Sequence, residues 1–178
     1  MIGLSGYARA GKNTVADLLP EGYRQVSFAE PMREAMLRLN PTIYQNDYQE
    51  VDNDGVMRLS DAINELGWQG AKEKLPEVRR LLQVFGTEVG RNMFGENFWV
   101  EQAFKDVHVG DNVVFTDVRF PNEAQAIIEH GGEVWRINRP GVIAHNAHAS
   151  ETSLDDWKFH RVIENDGTIE QLREKIYG

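Results

Sequence analysis

The stretch that decides the fold is residues 6–13, which read GYARAGKN. It follows a short apolar run and leads into residues 12–19, whose composition predicts a helix. The spacing of Gly6, Gly11 and Lys12 matches GxxxxGK, a loop whose backbone N–H groups cradle phosphate oxygens. The motif predicts a phosphate-binding loop in which Lys12 adds a full charge between the β- and γ-phosphates. The alternative is a strand-to-helix turn that binds nothing, and the agreement of position, spacing and lysine disfavours it.

The residue after the lysine departs from the usual pattern. Ser or Thr at that place normally ligates Mg²⁺, whereas this chain has Asn13 followed by Thr14. Asn13 offers a carbonyl oxygen or holds a magnesium-bound water, and Thr14 is an alternative hydrogen-bond donor to the α-phosphate. We therefore expect magnesium, with Asn13 as a candidate metal residue.

Composition limits the classes of protein. The chain has 178 residues, no cysteine and a formal net charge of -9. Lack of cysteine excludes disulfides and thiolate metal sites. No apolar run reaches the ~20 residues of a membrane helix, and no signal-peptide pattern is present, so we expect a cytoplasmic protein without a membrane partner. An acidic chain is a poor binder of nucleic acid polymers, so any phosphate chemistry needs a local basic pocket.

Hydrophobic periodicity predicts an α/β fold in one domain, residues 1–178. Strands that alternate with helices predict a parallel sheet of about five strands with helices on both faces, a three-layer sandwich. The predicted strands are residues 1–6, 24–29, 112–116, 133–138 and 161–164. Beyond residues 12–19, helices are predicted from Glu30, over 58–74, 77–94 and 97–108, from Pro121, and over 168–176, with a loop at 40–57.

Charged side chains follow three of these strands. Ligands of parallel sheets bind outside the carboxyl ends of the strands, and the residues found there are Glu30, Arg33, Asp117, Arg119 and Arg139. Asp117 resembles a carboxylate that holds magnesium or its waters, with a turn or helix-capping aspartate as the alternative. Arg119 and Arg139 suit phosphate oxygens, with surface ion pairing as the alternative. Glu30 is equally compatible with a carboxylate that a helix dipole favours.

The predicted helix at 77–94 has a polar stripe opposite its apolar side: Arg80, Gln83, Thr87 and Arg91. The stripe lacks a carboxylate in a chain rich in acids, which makes Gln83 and Arg91 candidates for a cleft, although a solvated face is an equal alternative. Trp99 lies on the apolar side of the next helix, where core packing is favoured over stacking on a base.

Taken together, these motifs resemble the bacteriophage deoxynucleoside monophosphate kinases, and through them the nucleoside monophosphate kinase fold of P-loop NTPases. The resemblance covers nearly the whole chain apart from residues 40–75. It is carried by GLSGYARAGKNTVADLL (3–19), SFAEPMRE (27–34), LLQVFGTEVGRNMFGENFWV (81–100), VVFTDVRFPNEAQAI (113–127), EVWRINRPG (133–141), HASE (148–151) and VIENDGTIEQL (162–172).

The resemblance implies transfer of the ATP γ-phosphoryl group to a deoxynucleoside monophosphate, with Mg²⁺ as cofactor. The implied partners are small nucleotides, with no nucleic acid polymer, for a monomer or homodimer in the host cytoplasm. The implied ATP site is Gly6, Ala8, Ala10, Gly11, Lys12, Asn13, Thr14 and Asn165. The implied acceptor residues, in a helical region of about residues 30–108, are Glu30, Arg33, Gln83, Arg91 and Trp99.

The resemblance also implies catalytic roles for Lys12, Asp117, Arg119 and Arg139, the last from a lid-like loop at about residues 139–157. Asn13 and Asp117 are the implied metal residues, directly or through water. For Asn165 an ordinary turn is an equal alternative. Two other functions stay open: a kinase of another small acceptor such as dephospho-coenzyme A, and a nucleotide-binding regulator that has no acceptor.

Overall fold

The computed structural model describes residues 1–44, 55–143 and 152–178. The chain divides into two compact units, one formed by Met1–Phe28 with Val100–Gly178 and the other by Ala29–Trp99. The HASE motif and the middle of the predicted lid-like loop lie outside the described residues.

In chain order the elements are β1 (Ile2–Ser5), α1 (Lys12–Leu18), β2 (Arg24–Val26), α2 (Glu30–Leu39), β3 (Thr42–Tyr44), β4 (Val56–Arg58), α3 (Leu59–Lys74), α4 (Pro76–Gln83), a π-helix (Val84–Arg91), α5 (Asn92–Phe94), α6 (Phe98–Phe104), β5 (Val113–Val118), α7 (Pro121–Glu129), β6 (Glu133–Asn138), β7 (Arg161–Glu164) and α8 (Ile169–Tyr177). Within the described ranges, no helix has both the length and the apolar composition that crossing a bilayer requires.

The first unit is built on a five-stranded sheet in the order β2-β5-β1-β6-β7. All its strand pairs are parallel. All four residues of β1 are buried, as expected for the central strand of a sheet covered on both faces. The carboxyl ends of the strands therefore meet at one edge, where β1 leads into the loop of residues 6–11. The predicted parallel sheet is confirmed.

Alternate residues of the strands pack into two separate cores. Val114 belongs to a core that contains Val15 of α1 and Leu172 of α8. Its neighbour Phe115 belongs to a second core, with Ile127 of α7. Because neighbouring residues of a strand point to opposite faces, the two cores lie on the two faces of the sheet. This arrangement confirms the expected layers of helix, sheet and helix.

The strands β5 and β6 flank β1 rather than pairing with each other. The succession of strand, helix and strand over residues 112–138 predicts a parallel pair, and the strands are indeed parallel. Their shared neighbour is the first strand of the chain, which local sequence does not indicate. The insertion of β1 puts the phosphate loop at the middle of the sheet edge.

The second unit consists of helices and a small hairpin. The strands β3 and β4 pair antiparallel, and the fully buried Ile43 packs against the helices. The prediction of an irregular loop over 40–57 is therefore wrong at both ends. Strands of three residues are too short to show an alternating pattern.

The predicted helix at 77–94 is divided. It begins as α4, changes to a π-helix at Val84 and ends with the short α5. The π-helix replaces i→i+4 hydrogen bonds with i→i+5 bonds, and such segments occur often at functional sites. A Cβ atom at Gly90 would lie 2.1 Å from Trp99 Nε1, so the absence of a side chain lets the indole pack directly on this backbone.

Candidate active site

The loop between β1 and α1 has the backbone shape that the GxxxxGK motif predicts. Gly6, Arg9 and Gly11 have φ values of 143°, 68° and 102°. At Gly6 a Cβ atom would lie 2.4 Å from the carbonyl oxygen of Ile137, so only glycine fits. The N–H of Ala10 donates to the carbonyl of Tyr7 at 3.2 Å. These left-handed positions curl the backbone into the concave form that binds anions.

Lys12 folds back over this loop. Its Nζ donates hydrogen bonds to the carbonyl oxygens of Gly6 at 2.6 Å and Tyr7 at 3.0 Å. The two carbonyls therefore hold the ammonium group against the loop. Asn13 is exposed and Thr14 half-buried at the start of α1, and the N-cap residue of this helix is Gly11, which has no side chain.

Asn165 lies against the phosphate loop. Its Nδ2 donates to the carbonyl of Ala10 at 2.9 Å, and its backbone N–H donates to the carbonyl of Asn138 at 2.7 Å. A Cβ atom on Gly11 would come within 2.3 Å of the same amide nitrogen. The structure thus brings the turn of residues 165–167 against the phosphate loop.

Asp117 lies near the carboxyl end of β5, where its carboxylate accepts hydrogen bonds from the segment that follows β2. Its Oδ2 accepts from Ser27 Oγ at 2.6 Å, and its Oδ1 accepts from the N–H of Phe28 at 2.8 Å. These two hydrogen bonds hold a turn, which is the alternative role that the sequence analysis gave for Asp117. Each carboxylate oxygen accepts more than one bond, so the same group is compatible with a metal-bound water.

Glu123 is a residue that the sequence analysis missed. It is only 3% exposed, and its Oε2 accepts from the N–H groups of Arg119 at 2.7 Å and Phe120 at 3.1 Å. The carboxylate fixes the turn that presents Arg119, whose own side chain is exposed. The available signal was an acid at the third position of a helix that begins with Pro121.

Arg139 follows the end of β6 directly, and its side chain is exposed. Because β1, β5 and β6 are parallel neighbours, Asp117 near the end of β5 and Lys12, Arg119 and Arg139 beyond the strand ends belong to the same edge of the sheet. The sequence places Asp117 after a strand that ends at residue 116, whereas β5 continues to Val118 and includes it.

In the second unit, Glu30 and Arg33 lie together on α2. Arg33 Nη1 is 3.5 Å from Glu30 Oε2, and the guanidinium carbon is 5.9 Å from the centre of the Trp68 ring. The guanidinium is therefore held between a carboxylate and an aromatic face, with a quarter of its side chain exposed.

The polar stripe is divided by the π-helix. Gln83, exposed, ends α4, and the half-buried Arg91 ends the π-helix. Arg80 Nε instead donates to Glu77 Oε2 at 2.7 Å. These hydrogen bonds from Arg80 lower the pKa of the Glu77 carboxyl, against the opposing effect of desolvation. Arg80 thus forms a local ion pair with Glu77.

Trp99 supports the π-helix from inside the unit. It is 6% exposed, and its Nε1 donates to the carbonyl of Gly86 at 2.8 Å. The ring contacts Phe98 edge-on, with 4.8 Å between centroids. This burial favours the packing role over a contact with an acceptor.

A parallel sheet whose central strand enters a GxxxxGK loop, with an aspartate near the end of the next strand, defines a P-loop nucleotide-binding α/β protein. Within that class, the family model for deoxynucleotide monophosphate kinase matches residues 34–176. The chain belongs to this family.

Individual relatives of the chain carry the name of the same family. A protein of Acanthamoeba polyphaga mimivirus, provisionally named a deoxynucleotide monophosphate kinase, is 31% identical and covers 99% of this chain and 93% of its own. The deoxynucleotide monophosphate kinase of Enterobacteria phage T4 is 25% identical, over 99% of this chain and 96% of its own. Among solved structures, a dephospho-CoA kinase from Campylobacter jejuni covers 99% of this chain and 93% of its own, with 15% identity and a TM-score of 0.44. That likeness is too low to carry an argument.

The family matches confirm the family expected from the sequence. They also give the coarse chemistry: a kinase of this family is a transferase that uses a nucleotide phosphate donor and small nucleotide substrates.

Proposed function

We propose that the protein transfers the γ-phosphoryl group of ATP, bound with Mg²⁺, to the phosphate of a deoxynucleoside monophosphate, and that it releases ADP and a deoxynucleoside diphosphate. Membership of the family supplies the reaction class. The observation that carries the assignment of the donor site is Lys12, whose ammonium group rests on the carbonyls of Gly6 and Tyr7 inside the curled loop.

On the donor side, the loop backbone from Gly6 through Ala8 and Ala10 to Gly11 binds phosphate oxygens. Lys12 neutralises charge on the β- and γ-phosphates, and Thr14 donates to the α-phosphate. Asn165, which contacts the Ala10 carbonyl, keeps the loop in the shape that accepts the nucleotide. Each of these groups acts by position and charge, which is most of what phosphoryl transfer requires.

The residues near the loop fit a magnesium ion that is shared with the nucleotide. Mg²⁺ prefers oxygen ligands and usually takes one or two from protein alongside waters and phosphates. Asp117 and Asn13 offer such oxygens, directly or through water. Among the described residues no group of three or more acidic or histidine side chains is placed to hold a metal by itself. When bound, Mg²⁺ neutralises charge on the β- and γ-phosphates.

On the acceptor side, we assign Arg33, Gln83 and Arg91 to binding the monophosphate, with Glu30 as the ion-pair partner that orients Arg33. Trp99 holds the π-helix that connects Gln83 to Arg91. Arg119 and Arg139 stabilise the equatorial oxygens of the transferring group. No strong general base is needed, because the acceptor phosphate is already ionised near neutral pH.

The test is ADP formation in the presence of ATP, Mg²⁺ and one acceptor at a time. We expect ADP release that depends on a deoxynucleoside monophosphate. Release that depends on dephospho-coenzyme A instead would assign a different acceptor. Slow hydrolysis of ATP that no acceptor accelerates would identify a nucleotide-binding regulator.

A further inference from the structure

A buried arginine lies next to the phosphate loop in the sheet. Arg136, in the middle of β6, is only 9% exposed. It lies opposite Ser5, the last residue of β1 before the loop. A buried charge is costly unless it is paired, so its partners are fixed parts of the structure.

Those partners include one carboxylate, one amide and two aromatic rings. Arg136 Nε donates to Asn138 Oδ1 at 3.4 Å. Arg136 Nη2 is 3.0 Å from Asp155 Oδ1. The guanidinium carbon lies 4.6 Å from the centre of the Tyr7 ring and 5.6 Å from that of Phe159. Both distances are in the range of a cation–π interaction.

Tyr7 closes this network from within the phosphate loop. Its hydroxyl donates to the same Asp155 oxygen at 3.0 Å. Burial, and then the hydrogen bond to Asp155, raise the pKa of Tyr7 above its ordinary value, so the hydroxyl stays a donor at neutral pH. Its carbonyl, on the other side, accepts from Lys12 Nζ at 3.0 Å and from the N–H of Ala10 at 3.2 Å.

We propose that Tyr7, Asp155 and Arg136 are positioning residues for the donor phosphates, because they anchor the residue whose carbonyl holds the ammonium group of Lys12. The side chain of Tyr7 is fixed by Asp155 and by the guanidinium face, and its main chain carries a carbonyl that accepts from Lys12. Loss of the anchor would let the Tyr7 peptide rotate and the lysine charge move from its place. This inference rests on the proposed function only for the identity of the donor.

The test is Tyr7→Phe in the full chain, because phenylalanine keeps the ring over Arg136 and removes only the hydroxyl. The matched control is Tyr177→Phe, whose hydroxyl donates to the Leu18 carbonyl at 2.6 Å in the same unit but away from the loop. We expect Tyr7→Phe to weaken binding of ATP with Mg²⁺, measured by calorimetry, by about five- to tenfold. Its donor KM should rise equally, while its acceptor KM stays unchanged and Tyr177→Phe binds ATP like the wild type.

A second variant, Asp155→Asn, keeps an oxygen for Tyr7 but removes the countercharge of Arg136. We expect a lower melting temperature and weaker ATP binding than in Tyr7→Phe. If both variants melt earlier but bind ATP as tightly as the wild type, the network is structural only and the proposal is overturned.

The calorimetric measurement separates this inference from the proposed function. Suppose that the wild type binds ATP, that Tyr7→Phe binds it more weakly, and that no deoxynucleoside monophosphate supports ADP formation. This result would support the positioning role of the network and contradict the proposed reaction. A wild-type protein that does not bind ATP would overturn both.

Discussion

The side-chain amide of Asn165 donates a 2.9 Å hydrogen bond to the carbonyl of Ala10, across 155 positions of the chain. This bond joins the turn after β7 to the phosphate loop. It also occupies the space next to Gly11, since a Cβ atom there would lie 2.3 Å from the amide nitrogen. Glycine at position 11 therefore meets two requirements. It adopts the positive φ of the loop, and it leaves room for the side chain of Asn165.

We expect Gly11→Ala to weaken ATP binding and to destabilise the protein more than Gly22→Ala. Gly22 has a similar φ of 100°, and no atom of residues 1–44, 55–143 or 152–178 comes within 4 Å of a Cβ atom there. Both variants therefore carry backbone strain of about 1–3 kcal/mol. Only Gly11→Ala also displaces Asn165 from Ala10, at a further cost of about 1 kcal/mol. Thermal unfolding and ATP calorimetry measure the two effects. Equal losses in the two variants would show that Asn165 contributes nothing to the loop.

Lys12→Ala should lower kcat by about 10²- to 10³-fold, the usual cost of removing one electrostatic stabiliser of a transition state. The fold should remain, because Lys12 Nζ bonds to carbonyls of a half-exposed loop and not to the core. Acceptor-dependent ADP release gives kcat, and circular dichroism checks the fold. The exposed Lys105→Ala is the control for loss of a surface charge. A kcat within threefold of wild type would remove Lys12 from the mechanism.

Arg139→Ala should lower kcat by about 10²-fold with little change in acceptor KM, because a group that meets charge only in the transition state affects turnover more than binding. The control is Arg173→Ala, an exposed arginine of α8 in the same unit. Steady-state kinetics with the acceptor varied separate kcat from KM. An Arg139→Ala protein with the wild-type kcat would exclude a catalytic role.

Gly90→Ala and Gly86→Ala compare two glycines of the same π-helix. A Cβ atom at Gly90 would meet the rigid indole of Trp99 at 2.1 Å, whereas one at Gly86 would meet the flexible end of Met32, its sulfur, at 2.8 Å. We expect Gly90→Ala to lower the free energy of unfolding by about 1–3 kcal/mol, a typical cost of overpacking. Gly86→Ala should change it by less, since Met32 can move. Urea unfolding measures both, and similar destabilisation of the two variants would contradict this account.

The pair of Glu77 and Arg80 should make stability depend on pH in the acid range. Hydrogen bonds from Arg80 hold the pKa of Glu77 below its ordinary 4.5 in the folded protein, so folding favours the charged carboxylate. The contribution, about 0.2–1 kcal/mol for a pair near the surface, is complete above pH 4.5 and is lost as the pH falls through the folded pKa. Glu77→Gln should lower stability at pH 7 and have no effect at pH 2.

Urea unfolding at several pH values from 2 to 7 measures this dependence. The exposed Glu65→Gln, in the same unit, controls for loss of a negative charge. A difference between Glu77→Gln and wild type that is the same at pH 7 and pH 2 would mean that the ion pair does not contribute.

The sheet and the phosphate loop could be predicted from sequence because their signals are local. The predicted strands 133–138 and 161–164 coincide with β6 and β7, since each contains adjacent apolar residues and lies next to turn residues. The strand predicted at 24–29 ends at Val26 instead, because Ser27 and Phe28 leave the sheet to hydrogen-bond Asp117. Only the tertiary partner determines that end.

The supporting residues of the site could not be predicted in the same way. The network of Tyr7, Arg136 and Asp155 joins side chains from three separate segments, and no spacing relates them. The available signal was a charge at 136 between the apolar residues Trp135 and Ile137. The π-helix could not be predicted either, because VFGTEVGR fits the period of an α-helix. What marks this segment is the packing of Trp99 on Gly86 and Gly90, which is a tertiary contact.

The order of the strands has a consequence for how the protein is made. On the ribosome β1 emerges first, but its two neighbours, β5 and β6, begin only at Val113 and Glu133. Residues 29–99, which form a compact unit of their own, are synthesised in between, and domains generally fold as units during synthesis. The helical unit can therefore fold before β5 and β6 are synthesised, whereas the phosphate loop gains its contact with Asn165 only after β7 has been synthesised. Nascent chains halted before that residue should lack a finished donor site.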